Sequence, residues 1–192
     1  MSREAHVRFR EGLGVKFLRA THLVGMCASA QEAAKALEYL RQLAEQKRLA
    51  LHPDKTKVVD MNADGAGFDF LGYHFGNGTR VPRKKSLQRF KDNIRSKTRR
   101  ANGHSMSAIV AGINPILRGW FEYFKHSHKW IFLPIDQWIR RRLRSILRKR
   151  IGLPGISRMG LDHQRRPNKF FRDVGLFSLV DARASLLQSS TR

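Results

Sequence analysis

Ile113-Asn114-Pro115-Ile116-Leu117-Arg118-Gly119-Trp120-Phe121-Glu122-Tyr123-Phe124 contains a helix start and a helix face in twelve residues. An Asn side chain can accept from the free N–H groups of a first helical turn, and Pro at the first helical position gives up no hydrogen bond. Asn114-Pro115 therefore predicts that a helix capped by Ser105, containing Ile109 and Val110, restarts here. Ile116, Leu117, Trp120, Phe121 and Phe124 then recur at helical spacing as one apolar stripe. At that spacing the three aromatics read as core rather than as stacking groups for a ligand.

Working outward, Leu87, Phe90 and Ile94 share one face of a preceding helix, with Lys91, Arg95 and Arg99 on another. Downstream, Ile135, Trp138, Ile139, Leu143, Ile146 and Leu147 mark a helix from about 135 to 151, whose other face carries Arg140, Arg141, Arg144, Arg148 and Lys149. Residues 86–151 thus predict a helical bundle with basic outer faces. A Gly/Pro-punctuated linker follows over 152–160. The tail, with Phe170, Phe171, Leu176, Phe177 and Leu179, reads as short and α-rich.

Upstream the pattern changes. Ser29-Ala30-Gln31-Glu32 is a capping box, in which Ser29 accepts from the Glu32 N–H and Glu32 reaches back. Ala33, Ala36, Leu37, Leu40, Leu43 and Ala44 continue it as a helical stripe to about Lys47. Leu23 to Cys27 reads as a short buried strand, and Leu49, Leu51, Val58 and Val59 flank a turn at His52-Pro53-Asp54. Phe68 to Phe75 reads as a strand, and Gly76-Asn77-Gly78 as a turn into a second strand ending at Val81-Pro82. Residues 16–82 therefore predict β-α-β followed by a hairpin.

The charge restricts the function. Lys and Arg number 38 against 15 Asp and Glu, a formal net charge of +23. Such an excess is the electrostatic footprint of a protein that meets a polyanion, either nucleic acid or an anionic membrane surface. From Arg83 to Arg150 nineteen basic residues stand against three acids, Asp92, Glu122 and Asp136, a net +16. Because opposite charges are almost missing around the Arg-rich face at 140–150, no i,i+4 pairing is expected to offset its repulsion, and a bound polyanion would. The spread of charge over several helices favours nucleic acid over a membrane-surface helix, although Trp138 beside basic residues would suit the latter. At 41% hydrophobic the chain is too apolar for a disordered basic tail. The single cysteine, Cys27, excludes an internal disulfide and a Cys-based zinc site. His126 and His128 are joined by no carboxylate cluster, His163 lies far downstream, and there is no phosphate loop, so neither metal nor cofactor is expected. No apolar run is long enough for a bilayer span, the first residues lack the apolar core of a secretory signal, and a cytoplasmic home is expected.

Four segments carry a family likeness. Leu49-Ala50-Leu51-His52-Pro53-Asp54-Lys55-Thr56 resembles the L-x-L-x-P-x-K-T element of the palm of group II intron reverse transcriptases, which also act as maturases. Phe68-Asp69-Phe70-Leu71-Gly72-Tyr73 is similar to the F-x-F-L-G-Y hairpin leading from palm to thumb, and residues 113–124 resemble the L-N-P-x-x-R-G-W-x-x-Y-F signature of the maturase (thumb) domain. Gly175-Leu176-Phe177-Ser178-Leu179 resembles that domain's ending. The likeness spans roughly residues 23–182. It implies an α+β fold: a degenerate segment over 1–22, a remnant palm of strands, one helix and a hairpin over 23–82, a helical thumb over 83–151, and a linker with a C-terminal segment over 152–192.

One departure bears on chemistry. The family carries Y-A-D-D on the strand before the capping-box helix, and alignment places Arg19-Ala20-Thr21-His22 there, without either aspartate. Polymerisation of this type uses two metal ions held by carboxylates, and Mg²⁺, which the intact family uses, takes hard oxygen ligands. Thr and His do not replace two carboxylates, so the resemblance implies a truncated or frame-shifted bacterial relative, part of a mobile element, that is no polymerase alone. The C-x-x-C pattern of the endonuclease domain carried by some members is absent too, and no DNA cleavage is expected. The implied partner is structured RNA, the group II intron, or an RNA/DNA duplex, with a role in RNA splicing. The expected RNA-binding residues are Lys55, Arg95, Arg99, Arg118, Arg140, Arg141, Arg144, Arg148 and Lys149. The alternatives are a piece of an active reverse transcriptase completed by another chain, and a non-functional gene product.

Overall fold

A computed structural model describes residues 24–53, 56–63, 65–76, 78–155 and 159–189. Lys55 and the Arg19-to-His22 segment lie outside these residues. The first helix, α1 (Ala30–Gln46), starts as the capping box requires. Ser29 Oγ accepts from the Glu32 N–H at 3.2 Å, and the Glu32 carboxylate accepts from the Ala28 N–H at 2.8 Å. Its apolar stripe is largely uncovered: of its residues only Ala44 is buried, and Leu43 stays 39% exposed.

The expected β-α-β arrangement does not form among the described residues. Residues 24–27 have no regular structure, and no strand forms over 49–53 or 56–60. A strand needs a neighbour for its N–H and C=O groups, and the sheet that does form draws all its strands from 67–82. It is a three-stranded antiparallel sheet in the order β1 (Gly67–Phe70), β2 (Tyr73–Gly76), β3 (Thr79–Pro82). Phe68 to Phe75 is thus two strands, not one. Leu71 and Gly72 both have positive φ, +46° and +80°, which gives the two-residue turn whose handedness suits the twist of a hairpin. Leucine is strained in that region. Its carbonyl is held by the Tyr123 hydroxyl at 2.6 Å, while the Tyr73 hydroxyl donates to the Tyr123 carbonyl. These reciprocal bonds, with Arg80 Nε donating to the His126 carbonyl, fasten the sheet to the helices that follow.

Three long helices make the core: α2 (Lys84–Lys97), α3 (Met106–Phe124) and α4 (Phe132–Arg150). Ser105 caps α3 by accepting from the Ala108 N–H at 3.1 Å, as expected. The expected restart at Asn114 does not occur, because α3 runs unbroken through Pro115. A proline inside a helix costs about 3 kcal/mol. Ile113 and Leu117, both fully buried on either side of it, each return about 1.5–3 kcal/mol by leaving water, which is enough to keep the helix intact. Asn114 is therefore no cap. Its Nδ2 donates to the Gly175 carbonyl at 2.8 Å, and its Oδ1 accepts from the Phe177 N–H at 3.0 Å, clamping the C-terminal segment onto α3.

That segment belongs to the same core. It forms α5 (Met159–Arg165), α6 (Asn168–Asp173) and α7 (Leu179–Ser189), and Phe171 and Leu179 are buried with Phe90, Ile94, Trp120, Phe121, Phe132 and Leu143. Trp120 packs on Phe90 and Phe124 at 4.6 and 4.9 Å between ring centroids, so the aromatics of the opening stretch are core, as their spacing predicts. Asp136, on α4, reaches α7: its carboxylate accepts from Leu179 N–H at 3.1 Å, Val180 N–H at 3.3 Å and Ser178 Oγ at 2.9 Å. Ser178 is the N-cap of α7, its Oγ accepting from the Asp181 N–H at 3.2 Å, and the tertiary contact from Asp136 satisfies two further free N–H groups of the first turn. No described helix is long and apolar enough to cross a membrane.

Candidate nucleic-acid interface

The basic surface of α4 divides into two sides with different partners. Arg140, Arg144 and Arg148 recur every four residues and turn toward the C-terminal helices. Arg140 lies 3.8 Å from Asp136, four residues earlier. Arg148 faces both oxygens of Asp162 at 3.3 Å and donates to the Pro154 carbonyl. Arg144 is only 3% exposed; it donates to the Arg166 carbonyl and to Asn168 Oδ1, and its guanidinium lies 5.0 Å from the Phe171 ring. Burial lowers the Arg144 pKa from its ordinary value, with the neighbouring Arg140 charge adding to the effect.

The expectation that the arginines of α4 lack internal counterparts is therefore corrected for these three. Two carboxylates and several carbonyls hold them, and Asp162 was too far along the sequence to be recognised as a partner. Arg144→Ala is expected to destabilise the fold by about 2 kcal/mol, since it removes two hydrogen bonds to the C-terminal segment and uncovers buried Phe171. Arg141→Ala, at an exposed position, should stay within about 0.5 kcal/mol. Urea unfolding midpoints of the two variants check the contrast.

The other side of α4 faces α2. Three cations converge on the Trp138 ring: Arg142 at 5.4 Å, Arg95 at 5.7 Å and Lys91 at 5.9 Å from its centroid. Lys91 and Arg95 are one turn apart on α2, and Arg142 is one turn beyond Trp138 on α4. Arg142 is fixed by the end of α2, its Nε donating to Thr98 Oγ1 at 2.7 Å and an Nη to the Thr98 carbonyl at 2.9 Å. Burial, and then the charge of Arg95, lower the Arg142 pKa. Arg95 also holds Asp92 at 2.6 Å, and the hydrogen bonds from Arg95 and Gln88 lower the Asp92 pKa. A ring whose face attracts cations holds three like charges close together here, and one exposed carboxylate does not offset them.

Arg99, just past Thr98, and Arg141, beside Arg142, extend the positive surface and are exposed, as is Lys149. Arg118 is exposed on α3 and lies over the Phe177 ring at 4.6 Å. The nominated set is thus brought together only in part. Arg95 meets Trp138; Arg99 and Arg141 are exposed and flank Thr98 and Arg142 in sequence; Arg140, Arg144 and Arg148 are tied to the fold; Arg118 lies over Phe177. Sequence reasoning missed Lys91, Trp138 and Arg142 as site residues. The available signal was a tryptophan followed by Arg142 one turn later, which reads as core stripe until α2 is seen to pack beside it.

This α2–α3–α4 unit can be placed by comparison. Residues 87–159 match the family model for the group II intron, maturase-specific domain. The matched segment runs from Leu87 on α2 to the start of α5, and so contains the Trp138 junction, the Ile113–Phe124 stretch of α3 and the whole of α4. A comparison with curated proteins found no match.

Proposed function

We propose that the chain is a maturase-type RNA-binding protein that holds structured RNA, the group II intron above all, and does not polymerise nucleic acid by itself. The observation that carries this is the convergence of Lys91, Arg95 and Arg142 on Trp138, with exposed Arg99 and Arg141 beside it, inside the maturase-specific segment. Like charges packed this closely gain from a bound polyanion. Phosphates supply the affinity, whereas shape and unpaired loop bases supply the preference for one RNA. The rigid helices keep the cations in register with a phosphate backbone.

The denial of polymerisation rests on Arg19-Ala20-Thr21-His22, which offers no carboxylate for a two-metal reaction. A filter-binding competition tests the RNA reading: group II intron RNA is expected to displace a labelled intron fragment at a lower concentration than bulk RNA at physiological salt. Equal displacement by both would remove the intron from the proposal. Primer extension by the purified chain would overturn the denial of catalysis.

A second reading has its own support. Val24, Met26, Leu49, Leu51, Val58 and Val59 are exposed, as is much of the α1 stripe. Apolar surface of this kind suits a chain whose first third packs against the remaining palm of a reverse transcriptase supplied by another polypeptide. In that case the chain binds RNA as part of an active enzyme, in the bacterial cytoplasm. Size exclusion with circular dichroism separates the readings: a compact monomer supports the first, and recruitment into a complex by an added palm fragment supports the second.

A further inference from the structure

Between α2 and α3, away from the Trp138 junction, lies an open groove of about 520 Å³, within the size range of sites that take a small organic group. Its walls include Arg83, Arg89, Asn93, Gly119, Trp120 and Tyr123, and no acid lines it. The groove is therefore positive. Two donors on its walls also lack partners among the described residues. Trp120 is 9% exposed, and its indole N–H is buried without an acceptor; the Arg83 Nε–H is buried and equally unpartnered. A buried donor with no acceptor is unfavourable and calls for one from outside the chain.

Gly119 adds a separate observation. Glycine is a poor residue for the interior of a helix, and packing does not demand it here, because a Cβ built at Gly119 meets nothing within 4 Å. Pro115, one turn earlier and equally unsuited to a helix interior, lines the same groove. What the missing side chain leaves is open space beside Trp120. Tyr123, 53% exposed, adds an aromatic surface at the rim.

We propose that this groove takes a single unpaired ribonucleotide, its phosphate toward Arg83 and Arg89 and its base against the exposed Tyr123 ring at the rim, with a base acceptor meeting the indole N–H of Trp120. Donors without acceptors, positive charge without acid, and aromatic surface match a nucleotide on each count: phosphate and base edges accept hydrogen bonds, and every base has a face that stacks. The proposal rests on the RNA reading above and gives that reading a second contact, one that recognises unpaired RNA rather than helix backbone.

The test uses the full chain with ¹⁵N-labelled tryptophan, which gives separate indole signals for Trp120, Trp130 and Trp138, assigned with Trp120→Phe. The probes are a mixed-sequence single-stranded hexaribonucleotide and inorganic phosphate. The hexamer is expected to shift the Trp120 indole signal. Gly119→Leu, which fills the groove, is expected to abolish that shift and weaken hexamer binding about tenfold, leaving the Trp138 response in place. A Trp138 response without a Trp120 response overturns the groove while leaving the RNA reading intact. No response from either tryptophan sinks both. A Trp120 shift that persists in Gly119→Leu, or that phosphate alone reproduces, overturns the nucleotide assignment. If Gly119→Leu does not fold, Gly119→Ala combined with Arg89→Gln carries the same comparison.

Discussion

Retention of RNA is expected to fall about a thousandfold when salt rises from about 50 to about 200 mM. The loss comes from surface cations that the fold does not bury or hold firmly. Each that neutralises a phosphate releases a condensed counterion, and about six such contacts give a loss of this size over that salt range. Lys91 and Arg95 at Trp138, with Arg99, Arg100, Arg141 and Lys149, supply that number, while Arg142 is left out because Thr98 holds it. Arg95 already holds Asp92, but an exposed ion pair of this kind contributes little and yields readily to a phosphate. Arg140, Arg144 and Arg148 are left out because the fold already holds them. The triple variant Arg99→Gln, Arg141→Gln, Lys149→Gln should flatten the salt slope by roughly two to three, about one per lost contact, with an unchanged unfolding midpoint. Affinity that does not move with salt would show that phosphate contacts are not the mechanism.

Asp136→Ala should destabilise the protein by about 3 kcal/mol, which is most of the stability of a marginal domain. The substitution removes the acceptor for Leu179 N–H, Val180 N–H and Ser178 Oγ together, at the start of α7. Leu179 is fully buried, so water does not reach its N–H to replace the lost bond. Arg140, whose side chain is 14% exposed, loses its counterion as well. Asp136→Asn keeps an acceptor oxygen and relieves the burial of a charge, and should cost far less.

The pH dependence separates these effects. Burial raises the Asp136 pKa, outweighing the backbone and Ser178 hydrogen bonds and Arg140, which pull it down. The folded state then holds its proton more tightly than the unfolded chain does. This group's contribution to stability is therefore complete below the ordinary value of 3.8 and declines as pH rises from there through the folded pKa. That is opposite in sign to a salt-bridged carboxylate with a depressed pKa, and Asp136→Asn should remove this component from a plot of unfolding free energy against pH. An unfolding midpoint for Asp136→Ala equal to that of the unsubstituted chain would mean that α7 needs no acceptor from α4.

Local rules sufficed wherever the chain decides its structure over a few residues. The capping box at Ser29, the cap at Ser105, the apolar stripes of α2, α3 and α4, and the buried state of Trp120, Phe121 and Phe124 all follow from spacing, because a helix places residues three and four apart on one side whatever surrounds it. Where two local rules competed, the surroundings chose. Asn114-Pro115 is a sound helix start by itself, yet the burial of Ile113 and Leu117 outweighs the proline's cost, and Asn114 turns to the C-terminal segment instead. Phe68 to Phe75 reads as one strand until the positive φ of Leu71, held by Tyr123 from fifty-two residues away, makes it a hairpin.

The positive charge, the helical bundle and the maturase likeness were all determined by the sequence, since each is a property of composition or of near neighbours. Which cations remain available to a polyanion was decided only by the tertiary structure. Arg140 and Arg148 lie on the same helix as Arg141, but whether a guanidinium meets a carboxylate depends on what packs beside it. Asp162 reaches Arg148 through a chain reversal that no periodicity encodes, and Trp138 becomes a meeting point for Lys91, Arg95 and Arg142 only when α2 is laid against α4. Coulomb interactions depend on distance through space, and only folding sets that distance for residues far apart in the chain.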